Sequence, residues 1–427
     1  MGEELFIMKP SHFFRLPLFI IPVLFLAVCP VYSDIVSITV PMWFSPSDKN
    51  TSIKEVYDDF LAAGRDIEIK VNSLGGNAEK YTNNLLLMID SGKTTDLAIV
   101  PTKIVGELSR SGQLLNLSDR IDKHKMNDFL DNLLNVCMVN NNLYGLPYDT
   151  DVMVIYYNKD IFENLKISYE YSEGTWDWDR LIELSEKATI DKNGDGQMDV
   201  WGFGFPAGNF FNFINYFLPW YFCAGGTIDS TNGLTINSDA VSNVIELFRE
   251  MVLMSKASPP ATPSYLGKDI YRGLINGNLT MAITGSWVYY SIEKEGSFGV
   301  LPVPPVEKGQ RSITYCGGWS VIVFDKGERR NTVSLKFADM LTSEKSMILK
   351  LKEKHFLPVL KSVLLGCIAN KEWPDSFFAE QLLEHAYSYQ ETSLIKKEVM
   401  KIQDAIHYVL IKKYKTGDAI KKVINRY

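Results

Sequence analysis

Strand-length and helix-length apolar patterns alternate through residues 34–101, and no other feature restricts the fold as strongly. DIVSITVPMW sets Ile35, Ser37 and Thr39 on one face and Val36, Ile38 and Val40 on the other, the two-residue period of a strand. Ser52-x-x-Glu55 then opens a helix as a capping box; Ile53, Val56 and Phe60 form its apolar stripe and Gly64 stops it. DIEIKV reads as a second strand, NAEKYTNNLLLMIDSG as a second helix ended by Gly92, and DLAIV as a third strand. This alternation predicts an α/β fold with a mostly parallel sheet flanked by helices. Right-handed crossovers then line up the loops after the strands along one edge, where open α/β sheets bind ligands.

The alternation continues through YGLPYDTDVMVIYYNKDIF and a helix from about Trp178 to Lys187. Residues 201–226 are dominated by Phe, Tyr, Trp, Asn and Gly; a helix follows over roughly 239–255, and LTMAITGSW reads as a strand running into a turn. In LPVPPVEKG, Pro302, Pro304 and Pro305 keep the chain extended and out of any central strand, which predicts a linker. CGGWSVIVF is one more buried strand, and beyond it the chain reads as mostly helical with a Lys-rich close.

The N-terminus carries Lys9 and Arg15, the apolar run LPLFIIPVLFLAV and the small residue Ser33, the layout of a secretory signal peptide over residues 1–33. That run is shorter than a spanning helix needs, and Pro17 and Pro22 interrupt it. LFLAVC also resembles a lipobox ending at Cys29, so lipid attachment there is the alternative to cleavage after Ser33. The expected location is outside the cytoplasmic membrane, periplasmic or lipid-anchored. Net charge is −7 with no basic block, which argues against nucleic acid as partner. Cys137, Cys223, Cys316 and Cys367 are widely spaced without any CxxC and read as small buried residues.

Most catalytic motifs are missing: the sequence holds no HExxH and no GxSxG. DKNGDGQMDV imitates the front of an EF-hand loop, with Asp191, Asn193, Asp195, Gln197 and Asp199 at the oxygen-ligand positions. The position that should hold a bidentate Glu is Gly202, so calcium is expected only as a structural ion, and no cofactor is required. Asp149 and Asp151 stand two apart in an extended segment and face the same way, which keeps a glycoside hydrolase or lyase in view. Trp43, Trp220, Trp287 and Trp319 each stand near a strand end or loop beside Gly, Pro or Ser. Flat apolar ring faces with neighbouring carboxylates and amides suit a sugar, which has an apolar C–H face and a rim of hydroxyls.

Ten stretches run collinearly from about residue 37 to 420: GKTTDLAIVP, SGQLLNLSD, YGLPYDTDVMVIYYNKDIF, TWDWDRLIELSEKAT, DKNGDGQMDVWGFGF, YFCAGGTIDS, LINGNLTMAITGSW, FGVLPVPP, YCGGWSVIVF and FADMLTSEKSM. In that order they resemble the extracellular solute-binding proteins of bacterial ABC transporters, the sugar-binding family that includes the maltose-binding protein. The resemblance implies two α/β lobes with a ligand cleft at the hinge: residues 34–149 with 303–357, and 150–302 with 358–427. It implies a monomeric receptor that closes on a mono- or oligosaccharide and delivers it to a membrane permease, with no catalysis. Asp151 matches a ligand-binding acid, Trp287 a sugar-stacking Trp, and Trp43 an early ligand contact. Asn215 falls on an aromatic ligand position with Tyr216 beside it, and Trp319 follows Gly317-Gly318. Lys103 stands where the maltose-binding branch has an acid, so maltodextrin itself is not implied. A calcium-dependent sensory or adhesion receptor would use the same cleft and signal to another partner.

Overall fold

The computed structural model describes residues 36–42, 52–64, 67–74, 78–93, 95–168, 175–208, 213–228, 234–236, 238–292, 294, 297–353, 356–371 and 374–427. The opening alternation forms as the pattern dictates. β1 (Val36–Met42), α1 (Ser52–Ala63), β2 (Ile67–Ser73), α2 (Ala78–Asp90) and β3 (Leu97–Pro101) follow in order. β1 and β2 pair in parallel from Val36↔Ile67 to Met42↔Ser73. α1 turns Val56 and Phe60 inward, and Phe60 packs on Phe337 with ring centroids 4.9 Å apart.

Asp96 ties β3 to its neighbours. It is fully buried, accepts the Thr39 N–H at 2.8 Å, and donates its own N–H to the Thr39 carbonyl. Arg330, on the helix Glu328–Leu341, holds the same carboxylate through two bonds of 2.7 and 2.6 Å. Such a bidentate, charge-assisted pair fixes geometry as well as contributing energy.

The sheets are mixed rather than mostly parallel. The strand Trp319–Val323 runs antiparallel to both of its neighbours, β3 on one side and Leu146–Asp149 on the other. It enters this sheet from the far end because the chain has first left to build another. Val321, Ile322 and Val323 are all fully buried, as a strand covered on both faces requires. The second sheet has the order Phe298–Leu301, Met153–Asn158, Leu279–Gly285, Trp201–Gly204; only its last pair is parallel. Along Met153–Asn158 the side chains alternate between two apolar clusters, Val154 and Tyr156 in one and Met153, Ile155 and Tyr157 in the other.

The segment YGLPYDTDVMVIYYNKDIF is two strands, and the chain passes between sheets at Thr150–Val152. It returns at Cys316–Gly318, where Cys316 bridges Val152 and the Thr150 hydroxyl donates to the Gly317 carbonyl at 2.8 Å. Leu357 joins the same bundle by bonding Thr150 in both directions. The proline run, expected as the linker, is instead packed on the second sheet. The Trp176 and Trp178 indole N–H groups donate to the Pro302 and Pro304 carbonyls at 2.8 and 3.1 Å, and Val303 is fully buried. Prolines kept the segment out of the ladder, and their free carbonyls became acceptors for buried indoles. The passage between sheets therefore falls about a dozen residues later.

Candidate ligand-binding cleft

A cleft of about 1000 Å³ opens where the two sheets meet at the crossing strands. Six of the residues singled out from the sequence line it: Asp149, Asp151, Asn215, Tyr216, Trp287 and Trp319. They come from both crossings, from the helix Phe213–Cys223, and from the end of the strand Leu279–Gly285.

Asp149 closes its strand and is 1% exposed. Its Oδ1 accepts the Trp319 N–H at 3.0 Å, while Oδ2 is buried without a hydrogen-bond partner. Lys350 lies beneath it, also buried, with Nζ 3.4 Å from the centre of the Tyr148 ring and donating to the Tyr148 carbonyl. Burial pushes the Asp149 carboxyl up and the Lys350 ammonium down, and the attraction between the two charges opposes both shifts. Asp151 is partly buried and its carboxyl is pushed up to about 6 by burial, against the Gly317 N–H it accepts at 3.2 Å.

Two indoles frame the cleft. A Cβ on Gly285 would lie 1.7 Å from the Trp287 six-membered ring, so the ring rests on bare backbone that only glycine offers. Trp287 remains 36% exposed, an unusual position for so large an apolar surface. Trp319 leans on Tyr81, with ring centroids 5.9 Å apart, and its backbone is held by Asp149. Tyr216 is buried and bonds Thr284, and its hydroxyl sits where a Cβ of Gly267 would have to be. Next to it the Asn215 Oδ1 is buried and has no partner. Polar atoms left unpaired inside a folded protein ask for a ligand or ordered water.

Trp220 is not part of the cleft. It is fully buried among Trp178, Phe203 and Phe248, at centroid distances of 6.5, 5.9 and 6.4 Å. It lies deeper along the helix that presents Asn215 and Tyr216 near its start, a helix buried almost all round. Trp43 lies outside the described residues.

The loop at 191–199 is mostly exposed and contributes no residue to the cleft. Asp191 accepts the Gly194 and Gly196 N–H groups on its two oxygens, Asn193 and Asp195 each accept the N–H two residues on, and Asp199 accepts from Lys192. These bonds, Gly196's foremost, hold the Asp191 carboxyl below the usual carboxylate range. Gln197 is exposed. Any side chain on Gly202 would strike the Ser185 carbonyl at 1.8 Å, so the closing ligand of an EF-hand has no place here. Among the described residues no group of three or more His, Cys, Asp or Glu could hold a metal ion.

Lys103, which stands where the maltose-binding branch has an acid, also lines the cleft and pairs with Glu391 at 2.9 Å, both nearly buried, across almost three hundred residues of sequence. Tyr315, Thr284 and Phe356 line the cleft too and carried no recognisable signal. Only a strand end or a crossing marks such positions, and those marks depend on the sheet order.

The family model for bacterial extracellular solute-binding proteins matches residues 45–348. A galactooligosaccharide-binding protein of Bacillus subtilis (strain 168) is 24% identical over 328 residues, 74% of this chain and 72% of that one. A binding protein of Brucella abortus (strain 2308) is 25% identical over 278 residues, and the match spans 64% of each chain. Among solved structures, the cyclic alpha-maltosyl-1,6-maltose binding protein from Arthrobacter globiformis superposes with a TM-score of 0.75. It is 20% identical, over 92% of this chain and 98% of that one, and so shares its two-lobed fold. By family match and architecture together, the chain belongs to the bacterial extracellular solute-binding proteins.

Proposed function

We propose that the protein is the substrate-binding receptor of an ABC importer and that its cleft takes a carbohydrate. One observation carries the reading. Two indole faces, Trp287 and Trp319, share a cleft with the unpartnered acceptors Asp149 Oδ2 and Asn215 Oδ1. A pyranose ring supplies the match: C–H groups for the rings and hydroxyl donors for the acceptors. The galactooligosaccharide-binding relative supports the same class of ligand. The acceptors come from separate elements at the junction, so full contact requires both sheets to approach. A ligand that binds the closed form better shifts the population toward it. Micromolar affinity corresponds to roughly −8 kcal/mol, within reach of two stacked rings and several charge-assisted hydrogen bonds. The closed shape is what a permease would then recognise, outside the cytoplasmic membrane. Lipid attachment at Cys29 lies outside the described residues, and mass spectrometry of the mature N-terminus reads it directly.

A thermal-shift panel followed by calorimetry tests the proposal. Mono- and oligosaccharides are expected to raise the melting temperature, and Trp287→Ala to abolish the response. Stabilisation by amino acids or polyamines and by no sugar would overturn the carbohydrate reading. Cleavage of labelled oligosaccharides, lost in Asp151→Asn, would overturn the receptor.

A further inference from the structure

The protein as a whole is acidic, yet its last segment is not. Residues 393–427 carry nine Lys and Arg against three Asp and Glu, while the full chain has a net charge of −7. The structure gathers this charge on one surface. The helices Ser393–Leu410 and Thr416–Ile424 pack against each other, joined by the exposed turn IKKYK at 411–415. Lys412, Lys413 and Lys415 project from that turn, and Lys421 and Lys422 from the second helix; all are exposed. Among the described residues, no carboxylate comes within ion-pair distance of any of these five.

Aromatic and aliphatic groups stand among them. Lys422 Nζ lies 5.4 Å from the Tyr408 ring and 5.5 Å from the Tyr414 ring, and those rings are 5.5 Å apart. Ile411, Tyr414 and Tyr427 are 52%, 36% and 46% exposed, where a surface facing only water would carry short polar groups. On the helix bearing Lys421 and Lys422, Ala419, Ile420 and Val423 face inward, so the charge is outward by construction.

We infer that this surface docks the protein on an anionic lipid bilayer. Unpaired ammonium groups gain from the negative surface potential of the lipid headgroups. Tyrosine rings and an isoleucine suit the headgroup boundary, where one end of a side chain is apolar and the other wet. The contact lies on helices that pack against the helix Asp239–Arg249 and contribute nothing to the cleft lining, and it needs neither the sugar nor the permease. It would hold a receptor close to the membrane while leaving its cleft open to solvent.

The experiment is sedimentation of the full mature protein with phosphatidylcholine vesicles, with and without about a third phosphatidylglycerol. Binding is expected only to the anionic vesicles, and to weaken steeply as salt rises. Reversing four charges (Lys412→Glu, Lys415→Glu, Lys421→Glu, Lys422→Glu) should lower partitioning by roughly a hundredfold or more. Reversing Lys93, Lys256, Lys308 and Lys371, exposed elsewhere, should leave it within about threefold, the effect expected from net charge alone. Circular dichroism and sugar-induced thermal shifts on both sets show that the fold and the cleft are intact. Equal binding to neutral vesicles, or equal loss in both sets, would overturn the inference. So would binding to a soluble polyanion such as polyphosphate with none to vesicles.

Discussion

Gly318 shows how one residue can hold a site together. It has φ +120°, and a Cβ there would lie 2.2 Å from the Asp149 carbonyl, between the outgoing and returning strands. Gly318→Ala is expected to cost about 2–4 kcal/mol, read as a lower urea midpoint with unchanged slope. Asp151 lines the cleft at some expense to the fold. Burial raises its carboxyl to about 6 in the folded state from 3.8, so its stabilising contribution is complete below about pH 4 and is lost as pH rises to 6. Asp151→Asn should therefore raise the melting temperature at pH 7 and lose that advantage at pH 4. The same variant should bind ligand about ten- to a hundredfold more weakly at pH 7, measured by calorimetry. Asp151 and Trp287 were legible because each sits beside a local landmark, YNKD or GSW. Trp220 was misread because its surroundings look like a loop, whereas it stands in a helix that is buried almost all round. Lys350 and Glu391 were invisible: each is an ordinary charge in a helical or polar stretch until folding buries it.

Single elements were read best where their period was clean. β1, α1, β2, α2 and β3 appear where alternation, capping and glycine stops put them. The direction of the strands was not legible, because the partner of β3 comes from beyond residue 300 and no local pattern records a pairing over that distance. The linker was misplaced for a related reason: prolines exclude a segment from a ladder but do not say whether it packs. The loop at 191–199 was recognised as a turn rich in oxygens, and its geometry suggests how it closes without an ion. Asp191 alone secures two amides, so Asp191→Ala is expected to lower the urea midpoint slightly with unchanged slope. Millimolar calcium should leave the wild-type melting temperature unchanged; a rise of several degrees would assign the loop a structural ion.

At the scale of the molecule, family membership and the two-lobed fold followed from the order of many weak motifs, none sufficient alone. Ligand closure should appear as a smaller radius of gyration in small-angle scattering, and Trp287→Ala should remove the change along with the binding. The interior is otherwise well sealed: Cys137, Cys223, Cys316 and Cys367 are buried and none of them forms a disulfide. All four should resist alkylation in buffer and react in denaturant. The passage of the strand Trp319–Val323 into the first sheet also has a bearing on biogenesis. A chain threaded outward from its N-terminus presents β3 and the strand Leu146–Asp149 early, but the strand that pairs between them is still inside the cell until residue 323 has crossed. Met153–Asn158, Leu279–Gly285 and Phe298–Leu301 emerge before it and can assemble without it. The half that begins first would therefore mature last. Through that interval its unpaired strand edges are open to proteases and in need of a chaperone.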